Sequence, residues 1–525
     1  MWSALVLGIL AAGSAAGEYA DFVYVAPETT GKSAASAAMP RDAVQAWLQQ
    51  DYPSRVFTAF EAKNGELAAN AENPSLEVAS GFPLDLNTED LFGAGFQEGD
   101  EWVFLAGITS LDAHALRLLV DLSGLQAGDE LWLLSPSGPG AHGPFAAAQT
   151  AQWLPTVEGD TAVLMLRTAA PAPPSLRLQG LSHFFVPLGA QAKATPCPTP
   201  VACETSSAGQ KVSTGIAMLI IPSGLGQFQC TGALINNPAT ADTLESLILS
   251  ANHCFSGEVD ATQVDVIWDY RAENCAGENP PALADVPRST GESILAQDSV
   301  LDGAFLQLSG AVPNGTYGRA WLGWDTRTPV LNDQVVVLHH PSGTPMKISY
   351  GHVTAVSVNS CLDVLCSHPV KYQTEAHWDA GITESGSSGS PLLFANVNYR
   401  VCGMLSNGNA QTCGAAAYNY DNFSSFRDFF AEIACHLTPA TPCSDPLPTS
   451  ACPAKSAFGP GSSEVAQLRS FRDKRLMGSA SGRFVAGLYY QAAPAMARTV
   501  ERSPLAREVF KAAAMPFVAL GARAE

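Results

Sequence analysis

Short runs of apolar or alternating residues, separated by turn sequences, cover most of the chain between residues 80 and 437. In the first part of this range the runs lie at 102–108, 115–122, 130–134, 161–167 and 176–186. Turn sequences such as Gly128-Asp129 divide them. Short strands with such turns between them are typical of sandwiches and barrels. The pattern therefore predicts a mainly β protein that begins with a small sandwich-like unit and continues into a larger barrel-type unit.

Helical spacing appears on either side of this β-rich part. Val44, Trp47 and Leu48 share one face of a predicted helix near the start, and Val465, Leu468 and Phe471 do so near the end. Residues 453–525 carry 11 Lys/Arg against 5 Asp/Glu, although the whole chain has a formal net charge of −21. A basic helical module on an acidic chain indicates docking to a cell-surface or sorting partner. The alternative is a small helical hairpin packed on the β-rich part.

The changes in residue pattern and composition along the chain divide it into six segments. The first, 1–17, has an apolar core followed by Ser14-Ala15-Ala16 and is interpreted as an export signal, with a buried first helix as the alternative. This signal predicts a secreted or cell-surface protein. The others are an N-terminal segment (18–79), a β-rich domain (80–193), a second β-rich domain (194–437), a Pro/Thr-rich linker (438–453) and the basic helical module (454–525).

Composition narrows the classes of function. A chain of 525 residues is too long to fold around one hydrophobic core. Its sequence pI of about 4.8 argues against a nucleic-acid partner. All twelve cysteines follow residue 196, and an even number in an exported chain predicts disulfides. Zinc sites need paired short Cys/His spacings, and Cys361-x4-Cys366 alone comes near. We therefore expect neither a metal nor a cofactor.

Three separated residues have the chemistry of a nucleophilic hydrolase. Ser388 lies in the tight loop Gly-Ser-Ser-Gly-Ser-Pro, His253 ends an apolar strand, and Asp302 begins one. A serine hydroxyl needs an imidazole to accept its proton, and a carboxylate fixes the imidazole tautomer. Gly386 can turn its N–H, with that of Ser388, toward a developing oxyanion. These residues predict a Ser-His-Asp acyl-transfer site.

The chain order His, Asp, Ser resembles that of the triad in the trypsin-like serine peptidases. The likeness is carried by His253 in Ser-Ala-Asn-His-Cys, by Asp302 and by Ser388 in its loop. Residues 197 to about 426 resemble, more closely, the bacterial secreted lysyl endopeptidases. The motifs that carry this likeness are Cys-Thr-Gly-Ala-Leu-Ile-Asn-Asn at 230–237, Trp-Asp-Tyr at 268–270, Gly-Trp-Asp at 323–325, His-His-Pro at 339–341 and Thr-Glu-Ser-Gly-Ser-Ser-Gly-Ser-Pro at 383–391.

The resemblance implies two six-stranded β-barrels with the site in the cleft between them. It implies that Ser406 and Gly408 lie on the strand that binds the substrate backbone. In the same family His339-His340 is a structural feature of a strand and binds no metal. The implied disulfides are Cys197–Cys413, Cys203–Cys275 and Cys230–Cys254, with Cys361–Cys366 as a small loop.

The specificity residue departs from the family pattern. Trypsin's acidic specificity position corresponds to Ile382, which cannot neutralise a basic side chain. Counting forward from Ser388 to the specificity position of the lysyl endopeptidases leads to Ala417 or Tyr418. An uncharged or aromatic P1 residue is therefore as compatible with the sequence as a basic one, and Asp379 and Asp421 are the nearest acidic candidates. Ser387 stands where trypsin has the aspartate that captures a freed N-terminus.

Residues 80–188, with Trp-Leu-Pro at 153–155 and Val-Glu-Gly-Asp at 157–160, resemble the β-rich propeptide of such peptidases. The resemblance implies that the domain at 80–193 acts on its own peptidase domain as a folding aid or inhibitor. The link at 189–197 predicts a maturation cut, for which Lys193 is a candidate site. We therefore expect an exported serine endopeptidase made as a precursor and acting on protein or peptide substrates. A catalytically silent surface-binding module and an esterase-type hydrolase are the alternatives.

Overall fold

The protein is described here from a computed structural model. It describes residues 18–27, 41–57, 76–188, 198–237, 244–255, 259–276, 280–362, 366, 369–409, 419–438, 453–459, 462–471, 496, 499–500 and 503–522. The expected signal segment, the candidate cut site and the linker at 438–453, apart from its two end residues, lie outside these ranges. No helix in the described ranges has both the length and the apolar character needed to cross a membrane.

The N-terminal part of the structure is a β-sandwich, as the alternating pattern predicts. The structure has a strand at each of the five predicted runs, and Val44 and Trp47 of the predicted helix are buried. The elements are β1 (Tyr19–Ala20), β2 (Val23–Val25), α1 (Arg41–Leu48), β3 (Ser54–Phe57), β4 (Leu76–Asn87), α2 (Thr88–Leu91), β5 (Phe96–Glu98), β6 (Glu101–Ser110), β7 (Ala115–Gly124), β8 (Glu130–Ser135), β9 (Gly138–Phe145), β10 (Gln152–Trp153), β11 (Val157–Glu158), β12 (Thr161–Thr168) and β13 (Ser175–Phe184).

One sheet of the sandwich has the order β3-β6-β12-β8-β9, with β5 on β6, and the other runs from β10 through β7 and β13 to β4. The inward faces of both sheets are apolar and form one core, in which Leu118, Leu133 and Leu164 are fully buried. Burial of alternate residues from two facing sheets is what holds a sandwich together.

The second β-rich domain contains two closed barrels of six strands each. Its strands are β14 (Thr199–Pro200), β15 (Ile216–Ser223), β16 (Gly226–Leu234), β17 (Leu247–Ser250), β18 (Asp265–Trp268), β19 (Arg288–Asp298), β20 (Gly303–Leu308), β21 (Arg319–Trp321), β22 (Trp324–Asp325), β23 (Gln334–His339), β24 (Lys347–Cys361), β25 (Pro369–Ala380), β26 (Pro391–Phe394), β27 (Arg400–Gly408) and β28 (Tyr420–Ser425).

The first barrel has the strand order β16-β15-β18-β19-β20-β17 and closes where β17 pairs with β16. The second has the order β23-β24-β25-β28-β27-β26 and closes where β26 pairs with β23. Complete closure removes the exposed edges that open sheets leave. These two barrels confirm the fold that the resemblance implies.

The helices complete the structure around the barrels. Helix α4 (Phe426–Leu437) packs against both barrels, and its residues Phe426, Phe429 and Ile433 are buried with residues of each. The other helices of this part are α3 (Ser207–Ser213), α5 (Pro453–Phe458), α6 (Ser463–Phe471) and α7 (Pro504–Ala522). Within the C-terminal module the rings of Phe471 and Phe517 lie 5.4 Å apart, so α6 and α7 pack on one another.

The sequence pattern did not predict how the N-terminal part joins the first barrel. Strand β4 pairs with β16, which makes one sheet of the sandwich continuous with the barrel. Strands β1 and β2 reach further and pair with β22 and β21 near the connection between the barrels. There the side chain of Ala20 is buried in the core between the barrels.

Candidate active site

Asp302 is completely buried immediately before β20, and its carboxylate has three hydrogen-bond partners. The backbone N–H of His253 donates to Oδ1 at 2.8 Å, His253 Nδ1 lies 2.8 Å from Oδ2, and the Ser406 hydroxyl donates to Oδ2 at 2.6 Å. Burying a carboxylate is costly unless it is hydrogen-bonded. These bonds offset that cost and orient the imidazole.

His253 follows β17 in a short helical turn at Asn252–Phe255. The next residue, Cys254, forms a disulfide with Cys230 of the neighbouring strand β16. The backbone N–H of Asn252 also donates to the Asp302 carbonyl at 3.1 Å. Strand pairing, a disulfide and two backbone hydrogen bonds therefore place the imidazole at the end of the first barrel.

The Ser388 loop is held against the same end of the barrel. The Ser388 carbonyl accepts from the N–H of Thr231, next to Cys230, at 2.8 Å. Gly389 has a φ of +81°, and a Cβ there would lie 2.1 Å from the Ser250 hydroxyl of β17. Only glycine allows this close approach. The loop thus brings Ser388 to the strand that leads directly to His253.

Gly386, the predicted oxyanion residue, has a φ of +90°, a conformation that favours glycine. Its carbonyl accepts from the Thr231 hydroxyl at 3.1 Å, and a Cβ would lie 2.8 Å from the side-chain amide nitrogen of Gln229. The Gly386 carbonyl is therefore held by β16, which fixes the peptide that follows the proposed oxyanion donor, the Gly386 N–H.

Ser387 and His339 form a buried pair behind the loop. The Ser387 hydroxyl lies 2.7 Å from His339 Nδ1 and accepts from the Glu384 N–H at 3.2 Å. Burial, followed by the charges of His340 and Lys347, lowers the pKa of His339 to about 3. A neutral histidine therefore supports the position where trypsin uses a charged aspartate. The neighbouring His340 ring stacks instead on Tyr270, so the two histidines have different partners.

We predict that His339→Gln weakens the pH dependence of stability. The ordinary pKa of about 6.5 applies to the unfolded chain, which binds a proton below that pH while folded His339 stays neutral until about pH 3. The free energy of unfolding should fall as pH falls through this window, by about 1.4 kcal/mol per pH unit for this residue. Urea unfolding between pH 5.5 and pH 4 should show a slope smaller by that amount in His339→Gln.

The control for this prediction is His436→Gln, which removes a half-buried histidine far from the loop in sequence. It should change the slope less, since His436 is less buried than His339. An unchanged slope in His339→Gln would contradict the assignment of His339 as a neutral buried group.

The two residues expected on the substrate strand have separate environments. The Ser406 hydroxyl is bonded to Asp302, so this side chain supports the carboxylate. Gly408 pairs with Asp421 across β27 and β28, and a Cβ at this position would lie 1.7 Å from Asp421 Oδ1. Only a glycine leaves room for that carboxylate at the end of the strand.

Asp421 is bonded to the residue that follows Ile382, the candidate specificity position. The side chain of Ile382 packs in the apolar interior of the second barrel with Trp378. The next residue, Thr383, donates its hydroxyl to Asp421 Oδ2 at 2.6 Å, and Trp378 Nε1 donates to the same oxygen at 2.5 Å. Asp421 is 2% exposed. A buried carboxylate therefore lies between the segment that leads to Ser388 and the strand that carries Gly408.

The other specificity candidates lie elsewhere. The side chain of Asp379 is 53% exposed and is paired with His352 on the outside of the barrel. Ala417 and Tyr418 lie outside the described residues. Counting from Ser388 did not reach Asp421, because the β27–β28 connection can differ in length. The signal available in the sequence was an acidic residue at the start of the next apolar run.

The disulfides follow the pattern expected of an exported protein. The structure pairs Cys203 with Cys275, Cys230 with Cys254 and Cys361 with Cys366. Cys435 is also disulfide-bonded, whereas Cys402 is a buried free thiol. The remaining expected pair, Cys197–Cys413, lies outside the described residues.

Comparison with known proteins supports the same class of enzyme. Residues 191–424 match the family model "Lysyl endopeptidase, C-terminal domain". A lysyl endopeptidase of Pseudomonas aeruginosa is 29% identical over 357 residues, which cover 64% of this chain and 74% of the relative. The chain is a serine endopeptidase whose second β-rich domain is similar to the lysyl endopeptidases. The resemblance inferred from the motifs is confirmed.

Two further proteins are similar to this chain at lower sequence identity. Secreted RxLR effector protein 73 of Plasmopara viticola is 25% identical over 233 residues, 43% of this chain and 52% of that protein. The crystal structure of the Rv3671c protease of M. tuberculosis in its active form has a TM-score of 0.31 at 16% identity, covering 49% of this chain and 96% of that one.

Proposed function

We propose that this peptidase cleaves peptide bonds with Ser388 as nucleophile, His253 as general base and Asp302 as the residue that orients the base. The observation that supports this proposal is the buried Asp302–His253 pair, at 2.8 Å, beside the loop that carries Ser388. Asp302 accepts from the Nδ1–H of His253, which leaves Nε2 as the proton acceptor.

The proposed reaction follows from these positions. Ser388 Oγ attacks the carbonyl carbon of the substrate while its proton passes to His253 Nε2. The oxyanion receives hydrogen bonds from the N–H groups of Gly386 and Ser388. His253 then donates the proton to the leaving amine, which breaks the C–N bond and forms an acyl-enzyme. Water, activated by the same imidazole, releases the acid and restores Ser388.

We further propose that Asp421 binds a lysine side chain at P1. Its carboxylate is buried and held by Trp378 and Thr383, and it lies between Gly408 and the segment that precedes Ser388. A desolvated ammonium group is stable only beside an opposite charge. The lysyl endopeptidase similarity favours a basic P1 residue over the uncharged or aromatic one that the sequence had left open.

The N-terminal sandwich is proposed to be a propeptide that acts as a folding aid. Its contact with the first barrel is polar as well as β-paired: buried Arg117 donates to Gln227 Oε1 at 2.8 Å and to the Gln263 carbonyl at 2.6 Å. Across the same contact, the Thr156 N–H donates to Asp265 Oδ2 at 2.9 Å. Strand β4 reaches Gln229 of β16, whose side chain contacts the His340 carbonyl behind the Ser388 loop. Non-local strand pairing forms slowly, so a template for β16 assists folding.

The test of the proposed reaction is labelling of the exported, purified protein with a fluorophosphonate, which reacts with activated serines. We expect one label per chain, located at Ser388 by mass spectrometry. Ser388→Ala should abolish labelling, and Ser385→Ala, in the same loop, should retain it. An unlabelled wild-type protein that also fails to cleave casein would contradict the proposal.

The same measurement distinguishes a folding aid from an inhibitor. We expect maturation after Lys193, read by N-terminal sequencing of the secreted protein. A Lys193→Ala chain that remains uncut should still be labelled, because the Asp302–His253 pair is already formed with the sandwich attached. An uncut chain that cannot be labelled would show that the sandwich is an inhibitor.

A further inference from the structure

Three side chains with metal-binding atoms converge on the outer face of the second barrel. His352 of β24 lies directly opposite His377 of β25 in the strand register. Asp379 follows two residues after His377, at a register shift of the hairpin, and its side chain is 53% exposed beside His352. His352 Nδ1 is 3.0 Å from Asp379 Oδ2, and the ligand atoms of all three residues lie within 4.8 Å of one another.

We propose that His352, His377 and Asp379 bind a divalent metal ion of the zinc class. Zn²⁺ binds histidine nitrogen and carboxylate oxygen at about 2.0–2.2 Å in a tetrahedral arrangement. Ligand atoms in such an arrangement lie about 3.3 Å apart, so small side-chain rotations bring the present donors to that spacing. The fourth position would be taken by water.

The location favours metal entry and a rigid site. The His352 side chain is 30% exposed and that of Asp379 is 53% exposed, so an ion can reach them from solvent. Both strands are paired over most of their length. The other group of potential ligands in the described residues, Cys230, His253 and Cys254, is unsuited because both cysteines form one disulfide.

The site lies on the opposite face of β25 from the proposed specificity residue. Trp378, between the two β25 ligands, points into the barrel and donates to Asp421. Asp379 lies at the end of β25, next to Trp378 and three residues before Ile382. A metal ion bound to Asp379 would therefore fix the end of the strand whose Trp378 side chain holds Asp421. Sequence spacing between Cys and His residues did not reveal this site, because its ligands come from two strands that only the hairpin brings together.

The test uses the full chain with Ser388→Ala to prevent self-cleavage, freed of metal with EDTA and without an affinity tag. Isothermal titration with Zn²⁺ should show one ion bound per chain. His377→Gln and Asp379→Asn should each weaken binding at least about 10-fold, the loss typical even of groups that only support metal ligands. Zn²⁺ should raise the unfolding temperature of the parent chain and not that of His377→Gln.

The matched control is Glu375→Gln. Glu375 lies on the same strand and face as His377 and is bonded to the Thr354 hydroxyl at 2.7 Å. This variant should bind Zn²⁺ as the parent does. If His377→Gln proves poorly folded by circular dichroism, His352→Gln replaces it. Absence of Zn²⁺ binding, or equal binding by the ligand variants and the parent, would overturn the proposal.

Discussion

Replacing Asp302 with asparagine is expected to lower kcat about 10⁴-fold, as loss of the orienting carboxylate does in other serine peptidases. The substituted side chain would have the same shape beside His253, but its amide would favour the wrong imidazole tautomer. Substrate contacts would be unaffected, so KM should change little. Steady-state hydrolysis of a peptide amide by the purified mature protein measures both constants.

The control for this prediction is Asp298→Asn at the end of β19, four residues before Asp302. Asp298 accepts from the backbone N–H groups of Val300 and Leu301, and an asparagine oxygen can accept the same bonds. This variant should keep kcat within a few-fold of the wild type. A loss of less than 10-fold in Asp302→Asn would remove Asp302 from the proposed mechanism.

Replacing Asp421 with asparagine is expected to lower kcat/KM for substrates with lysine at P1 by about 150- to 5,000-fold. An ammonium group buried without its partner typically costs about 3–5 kcal/mol. The asparagine oxygen can still accept hydrogen bonds from Trp378 Nε1 and the Thr383 hydroxyl, so the structure around position 421 should be kept. Matched peptides with lysine and leucine at P1 measure the preference.

Asp379→Asn, measured with EDTA present, is the control for the specificity prediction. Its carboxylate is on the outer face of the barrel, so the preference for lysine should remain. A wild-type protein without preference for lysine would contradict the role of Asp421. An unchanged preference in Asp421→Asn would assign lysine recognition to another residue.

The candidate site was predictable where its chemistry is carried by short local motifs. Ser388 was recognisable from its glycine-flanked loop, and the glycines at 386 and 389 have the positive φ angles that such a loop needs. His253 and Asp302 were recognisable as polar residues at the ends of apolar strands. In the structure they lie 2.8 Å apart, although they are 49 residues apart in sequence.

Asp421 was one of two acidic candidates in the sequence, but its contacts and the support of the Ser388 loop were not predictable in the same way. Asp421 reaches Thr383 through the pairing of β25 with β28 and of β27 with β28. The Ser387 hydroxyl contacts His339 at the end of β23, 48 residues earlier in the chain. Neither contact leaves a pattern in the residues near it in sequence.

By itself, the sequence determined the mainly β character, the strands of the sandwich, the helices at both ends and the types of candidate catalytic residue. These depend on alternation, turn chemistry and helical spacing, all of which act between residues near one another in the chain. The tertiary structure decided which strands close each barrel, that β4 joins the sandwich to the barrel, and that Asp421 and the His352–His377–Asp379 group have their present neighbours. Strand register joins residues far apart in the chain, so these contacts exist only once the sheets have formed.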